Sequence, residues 1–148
     1  MKTILDRAGG SALSIMLGQL DCADTLALLF SRAQQFKTLD FVYNDWPGIQ
    51  KASEATSRPL PLLQTLKLHV VTPNTPGYTI MNLPSFPLFS GAVNLREFVL
   101  YSEASQFLSC FAFPNLTTFE LSTKPDYGEF LGSQLLDFLE ATPTLRAV

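Results

Sequence analysis

The segment Leu63-Gln64-Thr65-Leu66-Lys67-Leu68 decides the fold, because its pattern returns four more times along the chain. A leucine or phenylalanine is followed by two free positions, an apolar residue, one free position and another apolar residue. The other copies are Phe36-Leu39-Phe41, Leu95-Phe98-Leu100, Leu116-Phe119-Leu121 and a truncated Leu145-Val148. Their first residues lie 27, 32, 21 and 29 positions apart in chain order. The three apolar residues of a copy are called positions 1, 4 and 6 below.

An apolar triplet that recurs every twenty to thirty residues is the signature of a leucine-rich repeat, one strand and one return segment per copy. Positions 4 and 6 of a strand share a face, and the residue between them points the other way. One such unit cannot bury its apolar face alone, so neighbours must stack into a continuous core. The expected fold class is therefore α/β, a leucine-rich-repeat-like solenoid of short parallel strands alternating with helices or irregular turns. The expected core is the set of complete triplets, Phe36, Leu39, Phe41, Leu63, Leu66, Leu68, Leu95, Phe98, Leu100, Leu116, Phe119 and Leu121.

Between copies the period changes. Leu26, Leu29 and Phe30 recur at helical spacing within residues 21–35, with Asp21 and Asp24 suited to the first turn. Leu131, Leu135, Leu136 and Leu139 predict a second helix, and residues 49–56 and 103–111 short ones. Leu13, Ile15 and Leu17 alternate with Ser14 and Met16, which predicts a strand before the first full copy. Residues 72–89 hold Pro73, Pro76, Gly77, Pro84 and Pro87, which read as a loop or bulky insertion within one domain. Prolines also stand just before several copies, at Pro59, Pro61, Pro114 and Pro143. The Asn or Cys that usually follows position 6 by three residues is matched by Asn44 alone; Val71, Glu103 and Lys124 occupy the other sites.

Composition narrows function by exclusion. The 148 residues suit one domain, with 47% hydrophobic and only 16% charged residues, against about a quarter charged in typical domains. A net charge of −3 and scattered Lys and Arg give no electrostatic footprint for nucleic acid. Asp6 and Arg7 interrupt the apolar start, so no secretory leader is expected, and no run reaches a membrane span. Cys22 and Cys110 with a single histidine cannot make a Cys/His zinc site, and they read as small buried residues in a reducing, intracellular compartment, cytoplasmic or nuclear. No metal or other cofactor is expected.

Chemistry was sought at four places. His69 follows the core Leu68 and reads as a solvent-facing strand residue rather than a catalytic base, with no Gly-x-Ser-x-Gly elbow to serve. Gly9-Gly10-Ser11 precedes a strand, the wrong context for a phosphate loop. Asp126 and Glu129 read as a polar turn, and Trp46 beside Asp40 and Asp45 as a packing residue. The better functional candidate is the sheet face opposite the core: Thr38, Asp40 and Val42; Thr65, Lys67 and His69; Glu97, Val99 and Tyr101; Thr118, Glu120 and Ser122. Its mixed charges and tyrosine suit a protein or peptide partner.

The runs Thr38-Leu39-Asp40-Phe41, Leu60-Pro61-Leu62-Leu63-Gln64-Thr65-Leu66-Lys67-Leu68, Leu95-Arg96-Glu97-Phe98 and Phe113-Pro114-Asn115-Leu116-Thr117-Thr118-Phe119-Glu120-Leu121 carry a resemblance. So do Leu135-Leu136-Asp137-Phe138-Leu139 and Pro143-Thr144-Leu145. Together they look like the repeat region of the fungal F-box and leucine-rich-repeat proteins, across nearly the whole chain. In that family an F-box segment docks on a ubiquitin-ligase adaptor while the repeats select the target. Strand-like sequence begins here by Leu13, so the resemblance implies the recognition half without adaptor binding, a fragment of a longer array. The expected function is a non-enzymatic protein-interaction module. The alternatives are a structural or inactive paralogue fragment and, third, a small hydrolase.

Overall fold

The computed structural model describes residues 13–17, 31–43, 59–70, 88–102, 105–122 and 131–146. The expectations for residues 9–11, 21–30, 44–46, 49–56, 72–87 and 126–129, and for Val71, Glu103, Lys124 and Val148, lie outside them.

Five strands form one parallel sheet in chain order: β1 (Leu13–Leu17), β2 (Phe36–Tyr43), β3 (Thr65–Val70), β4 (Glu97–Ser102) and β5 (Thr118–Ser122). The repeat supplies the register. Position 4 pairs across four copies, Leu39 with Leu66, Leu66 with Phe98 and Phe98 with Phe119. Position 6 does likewise through Phe41, Leu68, Leu100 and Leu121. β1 joins in the same phase, Ile15 opposite Leu39 and Leu17 opposite Phe41, after a register shift between Leu13 and Ser14. A parallel pair whose sequence separation varies from 21 to 32 residues can keep one register only because the apolar face fixes it, since a one-residue slip would turn every leucine to solvent.

Backbone hydrogen bonds reveal more of the unit than the triplet. Each copy is preceded by a tight turn whose closing N–H belongs to position 1. Leu63 donates to the carbonyl of Leu60 (3.2 Å), Leu95 to Ala92 (3.1 Å), Leu116 to Phe113 (3.2 Å) and Leu145 to Thr142 (3.1 Å). Phe36 donates to Ala33 in the same way, after a short 3-10 turn over Ala33–Gln35. The residue that opens each turn is buried in all five copies: Ala33, Leu60, Ala92, Phe113 and Thr142. Pro61, Pro114 and Pro143 occupy the second turn position, where a fixed φ near −65° is already the required one. Their role is to start the strand, not merely to avoid a helix.

The residue after position 1 then links each copy to the one before. Gln64 N–H donates to Lys37, Arg96 to Gln64, Thr117 to Arg96 and Arg146 to Thr117, each at 2.9 Å. The fifth copy is therefore in register through Arg146. Side chains brace the same edge: Asn94 Nδ2 donates to the Pro61 carbonyl (2.8 Å), Asn115 Nδ2 to Val93 (2.8 Å) and Thr144 Oγ1 to Pro114 (3.0 Å). These three residues occupy one equivalent site, immediately before position 1, and each reaches back one copy.

Eleven of the twelve expected core residues are buried; Leu121 is half-buried and packs against the rest. β5 is the last named strand of the sheet, so its position 6 lacks a full neighbour on one side. Phe98 sits among four rings, with centroids 4.8 Å from Phe111, 5.1 Å from Phe113, 5.6 Å from Phe119 and 6.3 Å from Phe138. Outside the sheet, Leu88 and Phe111 form an isolated parallel bridge, and Leu88, Phe89 and Leu108 are buried in the same core. The end of the proline-rich segment is thus core rather than surface. Phe89 holds a φ of 55°, an unfavourable value for a bulky residue, while its ring stacks 6.3 Å from Phe41.

The helix expected near the carboxyl end is present as α1 (Leu131–Glu140) and contacts the 3-10 segment Ser105–Cys110, which stands where a short helix was read. Its leucines are not all turned inward. Phe138 is buried and Leu135 packs on the core, whereas Leu136 is 61% exposed. Leu136 lies one step round the helix from Leu135, about 100° away. The helix ends where Thr142 Oγ1 donates to the carbonyls of Phe138 (2.8 Å) and Leu139 (3.3 Å), satisfying groups that helix termination leaves open.

Candidate recognition face

Strand alternation puts the twelve candidate residues on the face opposite the core, in three rows across the sheet. Thr38, Thr65, Glu97 and Thr118 form the first row; Asp40, Lys67, Val99 and Glu120 the second; Val42, His69, Tyr101 and Ser122 the third. β1 extends the first two with Ser14 beside Thr38 and Met16 beside Asp40. Met16 is 79% exposed, a large apolar side chain at the rim of the face.

The rows are not equally available. Thr118, Glu120 and Ser122 on β5 are exposed, while the β2 and β3 residues are half-buried. Val99 departs from the expectation: it is only 3% exposed although it lies outside the core cluster. It stands between Lys67 and Glu120, whose longer side chains flank it in register. A short apolar residue between two long polar ones becomes covered, since alkyl stems lie along apolar surface while their heads stay in water. Val99 is thus a packing residue of this face rather than a contact.

Three side chains converge in the middle. His69 stacks on Tyr101, with ring centroids 4.3 Å apart and planes 15° from parallel. Its Nε2 lies 3.3 Å from Asp40 Oδ1. The carboxylate fixes the imidazole edge and the tyrosine fixes its plane, so the cluster presents a pre-ordered aromatic platform with an acidic rim. In the first row Thr65 Oγ1 donates to Glu97 Oε2 at 3.1 Å. Lys67 makes no ion pair among the described residues. Among the described residues the face therefore carries three carboxylates, one ammonium without an ion pair and one stacked aromatic pair. Such groups offer hydrogen-bonding, charged and stacking contacts in one place.

Cys110 is buried, and burial pushes its thiol above the ordinary range while a hydrogen bond with the Ser109 side chain opposes the shift. It lies in the core, away from this face. Among the described residues no group of three or more His, Cys, Asp or Glu side chains is placed to hold a metal, and no helix is long and apolar enough to cross a membrane.

The grouping of the twelve residues was readable from the repeat, because counting from position 1 gives the rows. The turn-opening residues and the Asn94, Asn115 and Thr144 braces were missed. Their only sequence signal is a shared offset from position 1, masked by the varied chemistry of Ala, Leu, Phe and Thr. No protein-family model, curated protein or solved structure matches this chain.

Proposed function

We propose that the chain is a leucine-rich-repeat solenoid acting as a non-enzymatic protein-interaction module, with its outer sheet face as the recognition surface. The observation that carries this is the contrast between uniform inner rows and mixed outer rows in a single register. Every inner row repeats one chemistry, whereas the outer rows differ among themselves: the first is threonine but for Glu97, and the second sets Asp40, Lys67, Val99 and Glu120 side by side. A surface freed from architectural demands and built on rigid strands suits selective contact. The resemblance to F-box repeats gives the narrower form, in which the module selects an intracellular target for a ubiquitin ligase.

His69, Asp40 and Tyr101 supply the anchor, because stacked aromatic area is gained with little loss of side-chain freedom. Lys67 supplies the charge that steers encounter. A purely structural role competes, and the covered Val99 and mutually satisfied His69, Asp40 and Tyr101 favour it. Affinity capture from cell extract separates the two. Proteins retained by the parent and lost with Lys67→Glu plus Tyr101→Ala, at matched melting temperature, support recognition by this face. Identical captured sets for the two baits count against it.

A further inference from the structure

A second surface lies at the amino edge of the sheet, apart from the outer face. A groove of about 590 Å³ opens there, lined among others by Asn94, Arg96, Asn115, Thr117, Thr144 and Arg146. Among the described residues no acidic side chain lines it, in a chain whose net charge is −3. Arg96 and Arg146 occupy the same site in the third and fifth copies, with Thr117 between them in the backbone ladder. Neither arginine makes an ion pair among the described residues, and both are exposed. The polar side chains between them are held in place. Asn115 spends one amide N–H on the Val93 carbonyl, Thr117 Oγ1 donates to Arg96 (3.0 Å), and Thr144 Oγ1 donates to Leu116 (2.7 Å). Each asparagine amide keeps a second N–H for a ligand.

We infer that this groove binds an acidic, extended segment of a protein partner, with carboxylates three residues apart held by Arg96 and Arg146. The geometry follows from the ladder. Two strand steps separate the backbones of the arginines by about 9.5 Å. In a polyproline II segment, residues i and i+3 lie on one side and about 9.3 Å apart. In a β-extended segment, residues on one side recur at about 6.8 Å, which does not match. Planar guanidinium groups meet carboxylates through paired hydrogen bonds, so each arginine can take one acid.

The test is an NMR titration of the full chain, following the Arg96, Thr117 and Arg146 amides, with the peptide Pro-Glu-Pro-Pro-Glu-Pro. Shifts confined to these amides, weakening at high salt, are expected. Arg96→Glu or Arg146→Glu should each weaken binding about tenfold. Lys37→Glu makes the same charge change two copies outside the groove and should leave the affinity within about twofold, because a two-acid peptide does not reach it. All three side chains are exposed, so the variants should keep their fold, as the dispersion of the same spectra reports. No response, equal affinity for Pro-Glu-Pro-Glu-Pro-Pro, equal loss with Lys37→Glu, or tighter binding of inorganic phosphate or oligouridylate would each overturn the proposal.

Discussion

The two faces of the sheet obey different rules. On the inner face one chemistry repeats down each row: leucine or phenylalanine at positions 1, 4 and 6 of every full copy. On the outer face a row can pass from aspartate to lysine to valine to glutamate. Backbone geometry is the same for both, so the difference lies in what each face must satisfy. The inner face must fill a shared volume at crystal-like density, and each side chain is constrained by the copies on both sides. The outer face meets water, where many side chains serve equally well, and its composition is left to other demands.

This contrast is most easily broken by Leu116→Asp, which places a carboxylate at a fully buried position 1. Burial without a partner costs several kcal/mol, roughly 2–7 even for a neutral polar group. The variant should lose its cooperative thermal transition by circular dichroism. Melting within a few degrees of the parent would mean that the inner face is not the core.

Phe98→Ala should come next, at about 3–5 kcal/mol, because the ring touches Phe111, Phe113, Phe119 and Phe138 together. Urea denaturation measures it. A loss below about 1 kcal/mol would imply that the aromatic cluster closes over the gap or forms without this ring.

Tyr101→Ala, on the opposite face one strand position from Leu100, should cost only about 0.5–1.5 kcal/mol, the worth of one half-buried aromatic pair. The same denaturation experiment ranks it against Phe98→Ala. Comparable losses would erase the distinction between faces and make the outer cluster structural.

The smallest effect is confined to alkaline pH. Burial holds the Cys110 thiol neutral above the ordinary range. Below the unfolded thiol pKa both states keep the proton and stability is unaffected. As pH rises through that value the unfolded chain releases the proton first, so folding stability falls with pH. In a Cys22→Ser background, urea melts should show a steeper alkaline decline with Cys110 than with Cys110→Ala. Equal slopes would place the thiol in contact with water.

Much of this was legible without coordinates, and the gaps have physical causes. The triplets could be read because strand burial has period two and leucine and phenylalanine have few other uses in that spacing. The phase of the strands could be read because a slip of one residue would turn every triplet to solvent. The turn-opening residue could not, since Ala33, Leu60, Ala92, Phe113 and Thr142 share a place but no property. Thr142 is tolerated there only because α1 ends beside it and offers two carbonyls. The exposure of Leu136 was not legible, because helix periodicity marks a stripe without showing how wide the neighbouring core is.

By itself, the sequence determined where the five described strands lie, their shared direction and which residues of the full triplets turn inward. Those follow from local spacing and from the cost of exposing leucine. Only tertiary structure decided that Val99 is covered, that His69 meets Tyr101 and Asp40, and that Arg96 and Arg146 flank one groove. Those outcomes depend on side chains brought together from copies 21 to 50 residues apart, where conformation and neighbouring bulk, not residue type, set the contact.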